Sequence, residues 1–271
     1  MNRITGAYAI STTLGESVRA FVPHALPPLE PSLSSSAYLD LNRQAEIALA
    51  RLAGVSGLVP SVDWLLYSAI RKEALLTSQI EGTQATLTDL FDEEAGFKVS
   101  NTDDVEEVTN YLRAFRWVQE QLRDPKGLPI SVRLLCDAHR LLLNGARGAG
   151  KQPGELRRSQ NWIGGTRPGN AVFVPPPPER VSDLLADMER FIHDAATDLP
   201  PLVKVALIHA QFETIHPFLD GNGRIGRLLI AALFEHWGLL REPLMYLSGY
   251  LKQHQSTYYH SLTCIRKKIY L

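Results

Sequence analysis

Cysteine is nearly absent from this chain: there are two in 271 residues, Cys136 and Cys264, far apart and without metal-ligand spacing. That argues against a disulfide-stapled secreted scaffold and against a thiolate zinc site. Two buried thiols in a reducing compartment are the expectation. A dominant charge is lacking as well. The formal net charge is −1, so no overall field draws the chain to nucleic acid or to an anionic membrane, and neither is expected as a partner. A local basic run remains at Arg266-Lys267-Lys268. Long hydrophobic runs are missing too. No stretch approaches the length of a membrane span, and Met1 to Phe21 has no continuous apolar core of a secretion signal. The expected location is the cytoplasm.

What is present is enough for a core. Hydrophobic residues make up 45% and charged residues 21%, as in an ordinary globular protein, and the length suits one large domain or two modest ones. Pro23 to Ser36 is rich in proline and serine and reads as an extended lead-in. Leu41, Ala45, Ala48 and Leu52 then recur at helical spacing within Tyr38–Leu52. A second helix is expected from Ser61, a fitting N-cap, through Trp64, Ala69 and Leu76 to about Gly82. Further helices are expected over Thr88–Phe97, Val105–Leu122 after an acidic loop, Val132–Leu143, Val181–Ala195, Pro201–Ile215, Leu244–His254 and Ser256–Lys268. Arg224 to Trp237 is apolar on nearly every side, the mark of a central buried helix. Asn161 to Val174 differs: Trp162 and Ile163 on one side and Val172, Phe173 and Val174 on the other flank a glycine-rich middle, which reads as a short hairpin or as a surface loop. The predicted fold class is therefore all-α with one small hairpin.

The chemistry concentrates in His216 to Arg227, His-Pro-Phe-Leu-Asp-Gly-Asn-Gly-Arg-Ile-Gly-Arg. Gly221 and Gly223 carry no Cβ and let backbone N–H groups approach an anion. The helix that follows puts its positive N-terminus at the same place. Arg224 and Arg227, three apart, share a helix face and can reach one bound anion. Asp220 is a hard oxygen ligand suited to a hydrated Mg²⁺, and His216 can accept a proton near neutral pH. Taken singly, these parts read as a helix end, a turn and a solvated face. In one unbroken order ahead of an apolar helix, they read as a site for a polyphosphate.

This segment resembles the signature of the Fic (filamentation induced by cAMP) family of adenylyltransferases, His-Pro-Phe-x-Asp/Glu-Gly-Asn-Gly-Arg-x-x-Arg, with every fixed position filled, and the likeness extends from about Pro27 onward. The resemblance implies the Fic fold, a helical core around a central buried helix with a hairpin flap at Ile163–Val174. It implies an N-terminal helical region over residues 1–100 and a catalytic core over 101–271. The implied enzyme transfers AMP from ATP to a Ser, Thr or Tyr hydroxyl of a target protein and releases pyrophosphate. His216 would be the base and Asp220 would hold Mg²⁺. Gly221, Asn222 and Gly223, with the Asn222 side chain, would form the anion hole. Arg224 and Arg227 would grip the outer phosphates, and Phe218 would anchor the loop. Tyr258 or Tyr259 would contact the base, though core packing is the simpler role for one of them. Many members of this layout continue into a winged-helix domain; with the sequence ending at Leu271, no role for one is expected.

Thr77-Ser78-Gln79-Ile80-Glu81-Gly82 fits a Ser/Thr-x-x-x-Glu-Gly pattern. Alone it is a helix end. Beside the signature it resembles the family's inhibitory motif, whose glutamate, Glu81 here, pairs with the second signature arginine, Arg227. Autoinhibited transfer is thus the leading expectation. The same loop and metal would also serve removal of AMP, with Glu81 positioning water, or transfer of UMP or phosphocholine. A nucleotide-responsive interaction protein without turnover is the reading from another class. The expected partners are ATP and a target segment held at the Ile163–Val174 hairpin. A homodimer is left open, as are the target and its modified residue.

Overall fold

The computed structural model describes residues 4–29, 32–56, 62–145, 149–240 and 242–266. Among them are ten α-helices and a single two-stranded sheet. The strands are β1 (Gly6–Thr13) and β2 (Glu16–Pro23). The helices are α1 (Leu39–Ser56), α2 (Val62–Ile80), α3 (Leu87–Glu94), α4 (Thr102–Arg123), α5 (Val132–Leu142), α6 (Pro178–His193), α7 (Pro201–Ile215), α8 (Asn222–His236), α9 (Leu247–Gln253) and α10 (Gln255–Arg266).

The helix α8 is the axis of the core. Its apolar circumference is spent on burial: Ile225, Leu228, Leu229 and Leu233 are at most 1% exposed, and α2, α4, α5 and α7 all pack against it. Tyr111, Phe115, Leu134, Ile208, Phe212 and Phe218 complete one continuous cluster, which also takes in Ala74 and Leu75 of α2. Local sequence sets the helix starts. The Thr86 hydroxyl accepts from the Asp89 N–H while the Asp89 carboxylate accepts from the Thr86 N–H, a reciprocal cap for α3. The Ser131 hydroxyl caps α5 through Leu134 N–H at 3.2 Å. The acidic stretch expected as a loop is already helix: α4 begins at Thr102, with Asp103 and Asp104 in its first turn, where the helix dipole favours carboxylates.

The strands are not where the sequence placed them. The sheet is an N-terminal antiparallel hairpin, Gly6 opposite Pro23 through Thr13 opposite Glu16, closed by Leu14 and Gly15, both at positive φ. The segment Ile163–Val174 is instead a loop closed by one antiparallel bridge, Ile163 to Phe173. Gly164 and Gly165 are both left-handed, and Pro168–Asn170 forms a tight turn. The Asn170 side chain accepts from the Thr166 and Arg167 N–H groups, at 3.0 Å each. Those residues are used up in the turn and cannot extend a ladder. The N-terminal hairpin braces this flap. Phe21 N–H donates to the Val174 carbonyl (2.9 Å), and Arg167 pairs with Glu16 at 2.5 Å.

Two smaller expectations change. Cys136 and Cys264 are free and half-buried, not buried. Arg266 is no surface charge: it is 7% exposed, its Nη2 donates to the Glu213 carbonyl (2.7 Å) and its guanidinium lies over the Phe173 ring. Ser61, Lys267 and Lys268 lie outside the described residues. No helix among the described residues is long and apolar enough to cross a membrane.

Candidate functional site

The helix α7 delivers His216 as its C-cap in the left-handed region, φ 50° and ψ 62°. For a residue with a Cβ this conformation costs on the order of 1 kcal/mol, so something must hold it. Arg157 does. Its side chain is almost wholly buried. Nε donates to the His216 carbonyl (2.8 Å), Nη2 to Pro176 (2.6 Å) and Ile215 (3.3 Å), and Nη1 to Ser159 (3.2 Å). Its own N–H donates to the Pro217 carbonyl at 2.9 Å. One guanidinium therefore ties the His216 corner to the root of the flap. Asn161 adds a second tie, donating to Phe218 O at 3.3 Å.

The loop after His216 is locked from inside. Phe218 is 1% exposed and stacks on His139 at 3.8 Å between ring centroids. The Asn222 side chain accepts from Phe218 N–H (2.9 Å) and donates to Phe218 O (2.8 Å). Both ends of that amide thus brace the loop. The N–H groups of Asn222 and Gly223, in the first turn of α8, are the ones left for an anion, because that of Gly221 is taken by Asp220. Gly221, at φ 75°, is the N-cap of α8. His139 fastens the loop from α5: its Nδ1 accepts from Gly154 N–H (2.8 Å), which leaves Nε2 to donate to the Asp220 carbonyl (3.0 Å). Burial pushes the His139 pKa down to about 4, as that neutral tautomer requires.

Asp220 is exposed at the mouth of the loop, with Oδ1 accepting from Gly221 N–H at 2.6 Å. No cluster of three or more metal-binding side chains occurs among the described residues. A divalent ion at Asp220 would rest on one carboxylate, substrate oxygens and water, a donor set that suits Mg²⁺ and not a protein-caged ion.

Both signature arginines are nearly buried, and each faces a glutamate from another helix. Arg227 Nε donates to Thr77 Oγ1 (2.6 Å), and its Nη2 donates to Thr77 O (3.1 Å) and to the Glu81 carboxylate. Burial alone would lower the Arg227 pKa; the Glu81 carboxylate, with Tyr258 and Glu213 behind it, outweighs that and raises it. Arg224 Nη1 donates to Glu107 Oε2 of α4 at 3.0 Å. Glu81 thus lies against Arg227, the contact that the resemblance implied, and Thr77 joins it, which was not expected. The Arg224–Glu107 pair was not anticipated. Gly223 lies under the Glu81 carboxylate: a Cβ there would overlap Glu81 and crowd Arg227. Glu81 therefore occupies the space in front of the α8 N-terminus.

His216 is neutral here. Burial, then Arg266 and Arg157, push its pKa down to about 3. Its Nδ1 is buried without a hydrogen-bond partner, while the residue as a whole is half-buried, so an arriving proton meets Nε2. Tyr258 is half-buried, with its hydroxyl used inside the protein. Its hydroxyl bonds His209 Nε2 (2.9 Å), whose Nδ1 donates to the Gly226 carbonyl (3.1 Å). Tyr259 is 44% exposed.

The sequence reading missed Arg157, His139, Glu107 and Glu213. Glu213, three residues before His216, is a buried carboxyl with Oε1 unpartnered. Burial pushes its pKa up to about 7, partly opposed by Arg227. A raised folded pKa means stability that is full below the unfolded value near 4.5 and is lost as pH climbs through 7. Glu213→Gln is therefore expected to stabilise the protein at pH 8 by up to about 3 kcal/mol and to do little at pH 5. Urea unfolding at both pH values checks this; an equal effect at the two would remove Glu213 as the titrating group.

Similarity to known proteins follows the same geometry. Residues 39–120 match the Fic/DOC family N-terminal region, and residues 129–234 match the Fic/DOC family itself. The chain belongs to the Fic/DOC family. It is 28% identical over 190 residues to protein adenylyltransferase Fic of Drosophila ananassae, covering 69% of this chain and 35% of that protein. The D. grimshawi protein of the same name is 32% identical over 164 residues, 59% of this chain and 30% of that one. The chain thus spans about a third of the length of these relatives. Among solved structures, a Fic family protein from Desulfovibrio desulfuricans G20 superposes with a TM-score of 0.65 at 24% identity, covering 85% of this chain and 66% of that one. Fic-1 of Caenorhabditis elegans superposes with a TM-score of 0.61 at 20% identity, covering 86% and 72%. At these identities the structures establish a shared fold.

Proposed function

We propose that this chain is an autoinhibited protein adenylyltransferase, residues 1–100 carrying the brake and residues 101–271 the catalytic core. The observation that carries the reading is the Glu81–Arg227 ion pair over Gly223, at a helix N-terminus built for an anion. The relatives named protein adenylyltransferase support AMP as the transferred group. His216 Nε2 takes the proton of a target hydroxyl as that oxygen attacks the α-phosphorus of ATP. The bond to the bridging oxygen breaks, and pyrophosphate leaves. The backbone N–H groups of Asn222 and Gly223 and the two arginines hold the phosphates, Gly221 supplying the tight turn, and positioning with charge neutralisation supplies most of the rate. A Mg²⁺ on Asp220, when bound, would neutralise phosphate charge.

The target segment is assigned to the flap, Ile163 to Val174. Val172 is exposed there, but its N–H and those of Ala171 and Phe173 are bonded within the loop and the Val174 carbonyl is taken by Phe21, so any backbone pairing with a target would be limited to the carbonyls of Ala171 and Val172. Two free thiols support a cytoplasmic location.

The test is incubation of the Glu81→Gly form with candidate proteins and either α- or γ-³²P-ATP. Label from the α position alone is expected. Label from the γ position would make the enzyme a kinase and overturn the assignment. Gly223→Ala supplies a steric control. Its methyl group displaces Glu81 but also fills the phosphate space, so it should label no better than wild type despite a broken brake. Labelling equal to that of Glu81→Gly would mean that phosphate does not come to Gly223.

A further inference from the structure

We infer that Glu107 is a positioning residue that holds Arg224 apart from Asp220 and leaves one edge of its guanidinium for a phosphate; this rests on the adenylyl-transfer reading above. An arginine presents a fork, Nε and Nη2, that matches two oxygens of one oxyanion. In Arg71 that fork is filled by Glu94, with Nε at 3.0 Å and Nη2 at 2.6 Å. In Arg227 it is filled by Thr77 and Glu81. In Arg224 it is not. Nε is buried with no hydrogen-bond partner, and Nη2 lies 3.9 Å from Asp220 Oδ1, beyond hydrogen-bond reach. The far end, Nη1, is held by Glu107 at 3.0 Å.

A buried N–H without an acceptor is a cost that a folded protein rarely carries without a use. The orphan sits beside the exposed carboxylate assigned to the metal, and a small cavity opens there, lined by Arg224 and Asn110 and by four acids, Asp103, Glu106, Glu107 and Asp220, whose charge a metal on Asp220, when bound, would offset. An oxyanion of a polyphosphate would satisfy Nε and Nη2 together. Asp220 and Arg224 are also four apart, the spacing at which opposite charges on a helix close into a pair. Were they to close, the carboxylate and the cation would both be withdrawn from substrate. The helix α4 packs against α8, and Glu107 on it holds the guanidinium at its Nη1 end while Nη2 stays 3.9 Å from Asp220. With Nη1 fixed and the stem buried, the fork keeps one orientation.

The experiment uses the Glu81→Gly form, so that Arg227 is open, and isothermal titration with ATP and Mg²⁺. Glu107→Gln is expected to weaken ATP about tenfold, and Glu107→Asp to recover part of the loss. Arg224→Gln should also weaken ATP. The double variant Glu107→Gln/Arg224→Gln should be no weaker than Arg224→Gln alone, because a residue that acts through another adds nothing once that other is gone. A loss equal to the product of the two single effects would make Glu107 a structural residue. Unchanged or tighter binding in Glu107→Gln would make it irrelevant or a second competitor for the cation. Either outcome overturns the inference. Inorganic tripolyphosphate is run beside ATP. If the Glu81→Gly parent binds tripolyphosphate but not ATP, the adenylyl-transfer reading fails while the same comparison, made with tripolyphosphate, still decides the role of Glu107.

Discussion

His216→Ala, made in the Glu81→Gly form, is expected to lose transfer of label from α-³²P-ATP by at least about a hundredfold and by as much as ten-thousandfold, the range for a lost general base. ATP affinity should hold, because the phosphate contacts assigned to Asn222, Gly223, Arg224 and Arg227 do not pass through the imidazole. The geometry allows a sharper version. His216 sits at φ 50°, which Ala adopts reluctantly and Asn tolerates better. His216→Asn should therefore keep the corner and still lose the base. Full activity in His216→Asn would assign the proton to another group. Above its pKa of about 3 the imidazole is unprotonated, so the wild-type rate should not fall between pH 8 and pH 5 through loss of this base.

Glu81→Gly is expected to raise transfer by about a hundredfold, the scale of a misplacement of about 1 Å at the reacting centre. Glu81 follows the last residue of α2 and its N–H bonds Ser78 O in a turn, so glycine there breaks no helix. Thr77 continues to hold Arg227 through Nε and Nη2. Removing the carboxylate thus frees the cation without releasing its side chain. Glu81→Gln, which keeps an acceptor and loses the charge, should fall between wild type and Glu81→Gly. A Glu81→Gly protein that labels no more than wild type would leave the Thr77–Gly82 segment a helix end that happens to touch Arg227.

The helices and the signature loop were legible because their signals are local. The central position of α8 follows from its apolar circumference. The contact of Glu81 with Arg227 was implied by a resemblance, whereas the Thr77 contact beside it was not foreseen. The flap was half legible: Ile163 and Phe173 do bridge, but the pattern of apolar arms could not show that Gly164, Gly165 and Asn170 would spend the middle on a turn. The N-terminal hairpin had its cue in Leu14-Gly15 between two alternating runs, Ala7 to Thr13 and Val18 to Val22, and that cue went unread. Arg157, His139, Glu107 and Glu213 were beyond reach, because each acts across the fold on backbone or charges distant in sequence. Nothing around Glu213 at its own position says that Gly226 and Arg227 will surround it.

Glu81 is placed where the γ-phosphate of ATP would go. Isothermal titration of wild type and Glu81→Gly with ATP and with ADP measures that directly. Hydrogen bonds to charged groups are worth about 1.5–3 kcal/mol, so ATP should bind Glu81→Gly roughly tenfold to a hundredfold more tightly than wild type. ADP, which lacks the γ-phosphate, should change much less. An equal gain for both nucleotides, or none for either, would contradict the claim that Glu81 competes for the γ-phosphate at Arg227.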